Sequence, residues 1–355
     1  MNRVEGLRNA LRESGVDGLL ILNPENRRFI SGFTGSSGVL LVGAATAMIV
    51  TDFRYWEQAG MEAPGFELWK QGPNLWQAVA EAIQASGWSK IGFEADSTRF
   101  SEYQALTGAL PQQQWIPLAG TVEKLRWVKD ETEIGLLAQA ARITDQAWLR
   151  ALQLIKPGVK EREIGLEFDY QLRLLGAEGS AFTTIVASGW RSALPHGAAS
   201  DKEIAPGDLV IIDGGALFRG YHADMTRTVV LGKADPKQRQ IYRLVLEAQE
   251  LALSGLKAGI IGKDADRIAR DHIQKHGYGD YFGHGLGHSV GLNIHESPRL
   301  SMTESGIIPA GATVTVEPGI YLPGWGGIRI EDLVVVRATG VTNLTGSPKS
   351  ELIEL

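Results

Sequence analysis

Up to about residue 118, short stretches of helical periodicity alternate with apolar runs. VEGLRNALRES is followed by GLLILN, AMIVTD by FRYWEQAGMEA, and NLWQAVAEAIQASG by KIGFEAD. That alternation predicts a small α/β domain. The run GVLLVGAATAMIV, residues 38–50, is too short to span a bilayer and reads as two buried strands around a turn. PLAGTVEKLRWV, 117–128, reads as a connector, which sets the domains at 1–122 and 123–355. A long helix is then predicted from Lys129-Asp130-Glu131, with acidic residues in its first turn, to the stop at Lys156-Pro157-Gly158.

Beyond that stop the pattern repeats. KPGVKEREIGLEFDYQLRLLGA begins at Lys156 and KAGIIGKDADRIARDHIQKHGY at Lys257. Each opens on a K-x-G turn and predicts a helix that closes on a glycine, Gly176 and Gly277. Further on, IAPGDLVIIDGG parallels IPAGATVTVEPG, and in each an apolar strand ends on a carboxylate, Asp213 and Glu317. Two matched pairs in the same order predict a duplicated second domain packed about a pseudo-two-fold axis. The fold class is therefore mixed α/β (α+β): a small N-terminal α/β domain and a larger C-terminal one with an internal repeat.

Composition narrows the function. The 355 residues suit two domains, and 44% hydrophobic with 21% charged residues describes a globular protein. A net charge of −6 argues against a nucleic-acid partner. With no cysteine, thiolate catalysis and cysteine-ligated zinc are excluded. The first twenty residues offer no apolar signal core, so a cytoplasmic protein without membrane attachment is expected. The tryptophans, among them Trp76, Trp88 and Trp148, fall in or beside helical patterns and read as core. Asp52, Arg54 and Tyr55 in TDFRYW read as a structural ion pair with its neighbour.

Each strand-terminal carboxylate has a second downstream: Asp224 after Asp213, Glu331 after Glu317. If the halves pack face to face, four carboxylates converge. They cannot all stay ionised at short range without compensation, because like charges raise one another's pKa. A lone strand-end aspartate is ordinarily a cap. Here Asp213 ends LVIID, Glu317 ends TVTVE and Glu331 ends GIRIE, and burying three such groups is costly unless cations meet them. Oxygen-rich sites of this kind suit a pair of first-row ions. GHGLGHSVGLNIHE, 283–296, holds three of the chain's seven histidines, and one imidazole would complete such a cage. The HExxH zinc pattern is absent.

LPHGAAS (194–200), DLVIIDGGALFRGYHADMTRT (208–228), HGLGHSVGLNIHESPRL (284–300), VTVEPGIYLPG (314–324) and GIRIEDLVVV (327–336) resemble blocks of the pita-bread metallopeptidases, in the branch containing aminopeptidase P and prolidase. FISGFTGSSGVLLV (29–42) and TDFRYWEQA (51–59) resemble that family's smaller, creatinase-like domain. The resemblance implies five ligands of a dinuclear site: Asp213, Asp224, His288, Glu317 and Glu331. It implies two divalent ions per subunit, manganese first, with cobalt or zinc as substitutes. His196, His284 and His295 match catalytic histidines around the metals, Tyr321 and Arg329 match polar residues at the substrate, and Arg299 matches a position facing a substrate carboxylate. The implied reaction is hydrolysis of the bond before proline in di- or oligopeptides by a homodimer. A hydroxide bridging the two metals would attack, Glu317 would carry the proton, and His284 or His295 would meet the oxyanion. Proline's ring would need an apolar wall. A general or methionine-type aminopeptidase would use the same ligands but leaves the N-terminal domain unexplained. Creatine-type hydrolases and non-catalytic, peptide-binding relatives lose ligands, and this chain keeps all five.

Overall fold

The computed structural model describes residues 3–355. The chain forms two compact units, one ending at Arg126 and the other running from Trp127 to Leu355.

The first unit carries helices α1 (Arg3–Ser14), α2 (Pro24–Ser31), α3 (Trp56–Glu62), α4 (Leu75–Ala85), α5 (Phe100–Ala109) and α6 (Thr121–Arg126). Its strands are β1 (Gly18–Ile21), β2 (Val39–Gly43), β3 (Ala47–Thr51), β4 (Glu67–Lys70), β5 (Lys90–Glu94) and β6 (Gln114–Leu118). They build one mixed sheet in the order β4-β3-β2-β1-β5-β6. The run 38–50 forms the antiparallel pair β2 and β3, with Val39 opposite Val50. Residues 117–128, expected as a connector, instead complete β6 and form α6. A buried hydrogen bond from Arg126 Nη1 to Asn26 Oδ1 (2.7 Å) ties α6 to α2. Arg54 pairs with Asp52 at 2.8 Å, the local ion pair expected. Trp88 and Trp148 are buried as core residues, whereas Trp76 is half-buried.

The second unit is built twice. Its first half runs α7 (Glu131–Leu152), α8 (Glu161–Leu174), β7 (Gly179–Ser180), β8 (Ile185–Ser188), β9 (Leu209–Gly214), β10 (Ala216–Phe218), β11 (Tyr221–His222) and β12 (Met225–Val230). The second half runs α9 (Pro236–Gly255), α10 (Gly262–Lys275), β13 (Gly287–Ser289), β14 (Glu296–Leu300), β15 (Thr313–Val316), β16 (Gly319–Leu322), β17 (Gly326–Arg329) and β18 (Asp332–Val336), with β19 (Val341–Asn343) and β20 (Ile353–Glu354) closing the chain. One sheet contains β12-β9-β8 in order and another β18-β15-β13, antiparallel throughout. The matched turns repeat in detail. Gly158 and Gly259 both sit at positive φ, and each donates its N–H to the carbonyl of an isoleucine, Ile204 or Ile308, at 2.9 Å. Gly176 and Gly277 follow their helices, also at positive φ, where a side chain would be strained.

Each helix pair covers its own strands. Val210, Ile212 and Val229 pack with Trp148 of α7 and Phe168 of α8, and Val314, Val316 and Val334 pack with Val245 of α9 and Ala269 of α10. Among the described residues no helix is long and apolar enough to cross a membrane.

Candidate metal centre

Asp213 lies in β9 and His288 in β13. Asp224 immediately precedes β12, Glu317 immediately follows β15, and Glu331 immediately precedes β18. Strands pair so that Asp213 faces Thr226 and Val316 faces Asp332, which brings each half's two carboxylates to the same end of its sheet. All five candidate ligands line one cavity of about 320 Å³, together with His196, His284, His295, Arg299 and Arg329. Phe182, Ile185, Pro195 and Ile294 give it an apolar wall. Glycine is required where strands meet behind it. A Cβ at Gly287 would lie 2.0 Å from Thr315 O, and one at Gly215 would lie 1.7 Å from Ala223 O.

The protons decide what this cluster can hold. His288 Nδ1 lies 3.1 Å from Ser289 O, and a carbonyl only accepts, so Nδ1 carries the ring proton. Nε2 then presents a lone pair toward Asp224 Oδ2 at 3.6 Å and Glu317 Oε1 at 3.5 Å. Burial, with His295 beside it, lowers the His288 pKa to about 4, so the ring does not solve the clash by charging. Asp213 Oδ1 is buried without a hydrogen-bond partner among the described residues. Asp224, His288 and Glu331 offer ligand atoms within 4.8 Å of one another. A lone pair, an orphaned oxygen and converging carboxylates all lack the same thing, a cation, and the donor set fits one. Four ionised carboxylates against the buried guanidinium of Arg329 leave three negative charges, more than one divalent ion offsets.

Without metal, three of these carboxyls bind a proton more readily than they would in water. Burial and the charges of Asp213 and Glu317 push Asp224 well up; burial, then Asp224, push Glu331 up; burial raises Glu317 to about 7 from an ordinary 4.5. A group whose pKa rises on folding stabilises the fold fully below its unfolded value and loses that contribution as pH passes its folded one. Chelated protein is therefore expected to lose stability as pH rises from about 4.5 to about 7, and metal-loaded protein to escape that loss. Thermal midpoints across that window, with and without chelator, check this. A chelated protein with a flat profile contradicts it.

Arg329 spends its donors inward. Nη2 reaches Asp213 Oδ2 (2.6 Å), Nε reaches Thr226 Oγ1 (2.9 Å), and Nη1 reaches Tyr321 OH (2.7 Å) and Pro195 O (3.2 Å). Tyr321 is buried, does not line the cavity, and bonds His284 Nε2 at 2.9 Å. His284 Nδ1 faces Gly285 O at 2.8 Å and so carries the proton, which leaves Nε2 to accept from Tyr321. Burial, then Arg329, holds His284 at about 4. Tyr321 and Arg329 thus orient groups at the wall, with four of the five Arg329 N–H groups engaged there. His284, with both nitrogens engaged, is a poor oxyanion donor. His295 is exposed at the mouth, its ring 4.5 Å from that of His288, and His196 and Arg299 are exposed beside it. Burial, then Arg299, lowers the His295 pKa.

Three supporting residues had no place in the sequence reading. Thr226 donates to Glu331 Oε2 (2.7 Å), Thr315 donates to Glu317 Oε1 (3.0 Å), and Phe182 forms part of the wall. The two threonines were findable: Thr226 sits two positions after Asp224 and Thr315 two before Glu317, on the same face of an extended segment.

A duplicated α/β domain whose two halves deliver carboxylates and an imidazole into one cavity has the donor set of a metal-dependent hydrolase. Residues 135–338 match metallopeptidase family M24, and residues 3–128 match the creatinase/prolidase N-terminal domain. The chain belongs to metallopeptidase family M24, with the two-domain, pita-bread architecture. It is 46% identical to a solved Xaa-Pro dipeptidase from Bacillus anthracis, with a TM-score of 0.97 over 99% of both chains. To the crystal structure of an X-Pro aminopeptidase from Thermotoga maritima it is 40% identical, with a TM-score of 0.91 over 98% of this chain and 100% of that one. A Xaa-Pro dipeptidase of Pyrococcus horikoshii shares 38% identity over 99% of this chain and 98% of its own.

Proposed function

We propose that the protein is a metal-dependent exopeptidase that hydrolyses the bond preceding proline in short peptides, acting as a Xaa-Pro dipeptidase. The observation that carries this is the bare Nε2 of His288 among carboxylates, in a cavity that Phe182, Ile185, Ile294 and the exposed Arg299 also line. Asp213, Asp224, His288, Glu317 and Glu331 hold two divalent ions, manganese by preference, within a catalytic domain that follows the N-terminal domain in sequence. The assembly is a cytoplasmic homodimer.

Divalent cations in that cage would activate water and polarise the scissile carbonyl. Glu317, buried in the cage, takes a proton and returns it to the leaving nitrogen. His295 and His196, at the mouth, donate to the developing oxyanion. Phe182, Ile185 and Ile294 receive the proline ring, whose nitrogen has no N–H to satisfy. Arg299 meets the carboxylate of the dipeptide. A cavity of about 320 Å³ suits a small ligand.

The test is a panel of X-Pro, X-Pro-Y, X-Ala and Met-Ala peptides, run on chelated protein and after equal loading with manganese, cobalt or zinc. Hydrolysis is expected only with metal, only before proline, and faster on X-Pro than on X-Pro-Y. Preference for X-Pro-Y makes it an aminopeptidase P; cleavage of Met-Ala at a matching rate overturns proline specificity.

A further inference from the structure

We infer that Asp266 and Arg270 of α10 are a positioning pair that fixes His284 and, through its contacts to Tyr321 and Arg329, holds Asp213 in place for the peptidase reaction, an inference that rests on the reading above. The loop 282–286 needs such a device. It alternates Phe282-Gly283-His284-Gly285-Leu286, and its two glycines leave the backbone few steric limits.

Asp266 and Arg270 stand one helical turn apart and form a two-pronged pair, Nε to Oδ2 at 2.7 Å and Nη2 to Oδ1 at 2.9 Å. Asp266 is 1% exposed. Their remaining hydrogen bonds go to this loop. Arg270 Nη1 donates to Phe282 O (2.7 Å), Arg270 Nη2 to His284 O (2.7 Å), and Leu286 N donates to Asp266 Oδ1 (2.9 Å). Every second residue is thus gripped by its backbone. The side chains follow: the guanidinium lies 4.2 Å from the Phe282 ring centre, and that ring meets His284 edge-on at 5.1 Å. From His284 the chain of contacts runs through Tyr321 and Arg329 to Asp213.

The other half solves the same problem with other residues. Glu161, fully buried at the start of α8, accepts from Ser188 N (2.7 Å) and Ser200 Oγ (2.6 Å) and pairs with Arg191. Those residues bracket the loop that carries His196. A buried ion pair is costly to keep, and here each is spent on holding a histidine-bearing loop rather than on joining helices.

Arg270→Lys keeps the charge beside Asp266 but cannot span a carboxylate and two carbonyls. In the metal-loaded protein it is expected to lower kcat on an X-Pro dipeptide by about 10²-fold, the cost of a small misplacement, with KM and metal content little changed. Histidine-labelled protein should show the hydrogen-bonded His284 Nδ1–H resonance in the wild type and lose it in Arg270→Lys. Arg270→Lys combined with His284→Ala should be no slower than His284→Ala alone. Asp266→Asn, which keeps an acceptor for Leu286 N, gives the same readouts if the lysine variant fails to fold. Wild-type kcat with an unchanged resonance, or losses that multiply with His284→Ala, would overturn the inference. A wild-type protein that carries metal yet leaves X-Pro peptides intact sinks the peptidase reading instead, while the resonance still reports on the clamp.

Discussion

His288→Ala is expected to take metal content and peptidase activity down together while leaving the fold intact. The ring sits in β13, where Gly287 lets the strand approach β15 closely, and the substitution adds no atom to that contact. At neutral pH the imidazole is uncharged, held at about 4 by burial and His295, so its removal strands no partner charge. What is lost is the one nitrogen donor facing Asp224 and Glu317. Losing a group that merely orients a ligand costs roughly 10–100-fold in metal affinity or activity, and loss of a ligand itself is expected to exceed that. Asp213→Ala is a less clean experiment, because it also removes the carboxylate that answers the buried Arg329 guanidinium at 2.6 Å. Metal analysis of the dialysed protein, X-Pro hydrolysis and a thermal midpoint in chelator make the measurement. Wild-type metal content, or wild-type turnover, would remove His288 from the cage.

The centre was legible in the sequence to the extent that it follows strand periodicity and the repeat. Asp213 and Glu317 end apolar runs, and runs of that kind become strands whatever surrounds them. The duplicated K-x-G turns fixed both helices, α8 and α10, because a glycine at positive φ marks the same backbone corner in each half. Residue roles were harder. Arg329 reads as a cation beside a ligand, and only three-dimensional packing reveals that four of its five N–H groups go to Asp213, Thr226, Tyr321 and Pro195. Tyr321 likewise looks available until it is seen behind His284. The segment 117–128 misled because its helix, α6, is six residues long and held by Arg126 reaching a residue one hundred positions away. Short elements owe their stability to such distant contacts, which local patterns do not carry. The glycine-rich surroundings of the histidines acquire a reason in the same way: Gly287 permits close approach, and buried ionic groups supply the rigidity that the glycines give up.

Arg227→Ala is expected to be the most destabilising single change in the second unit. The side chain is 1% exposed on β12, next to Thr226. It donates to Glu331 O, Asp332 Oδ1 (2.7 Å) and Ser347 O (2.8 Å), joining the strands that follow the cavity-lining Asp224 and Glu331. Burial alone would raise the Asp332 carboxyl, but Arg227 and Lys349 hold it below its ordinary range. Removing Arg227 leaves a carboxylate in a dry interior with less to neutralise it, which costs about 3–5 kcal/mol. For a domain of this size that is a fall in thermal midpoint of roughly 10 °C. The pH dependence distinguishes this cause from simple loss of packing. A carboxyl depressed on folding contributes stability above its unfolded pKa and loses it as pH falls through the folded one. The variant, whose Asp332 takes up a proton more readily, should therefore approach the wild type as pH falls below about 4. A deficit of the same size at pH 3 and pH 7 would assign the loss to packing and not to the stranded charge. Replacing both partners, Arg227→Met with Asp332→Leu, should recover part of the deficit, because the charge then left without its partner is that of Lys349, 19% exposed and also bonded to Gln249.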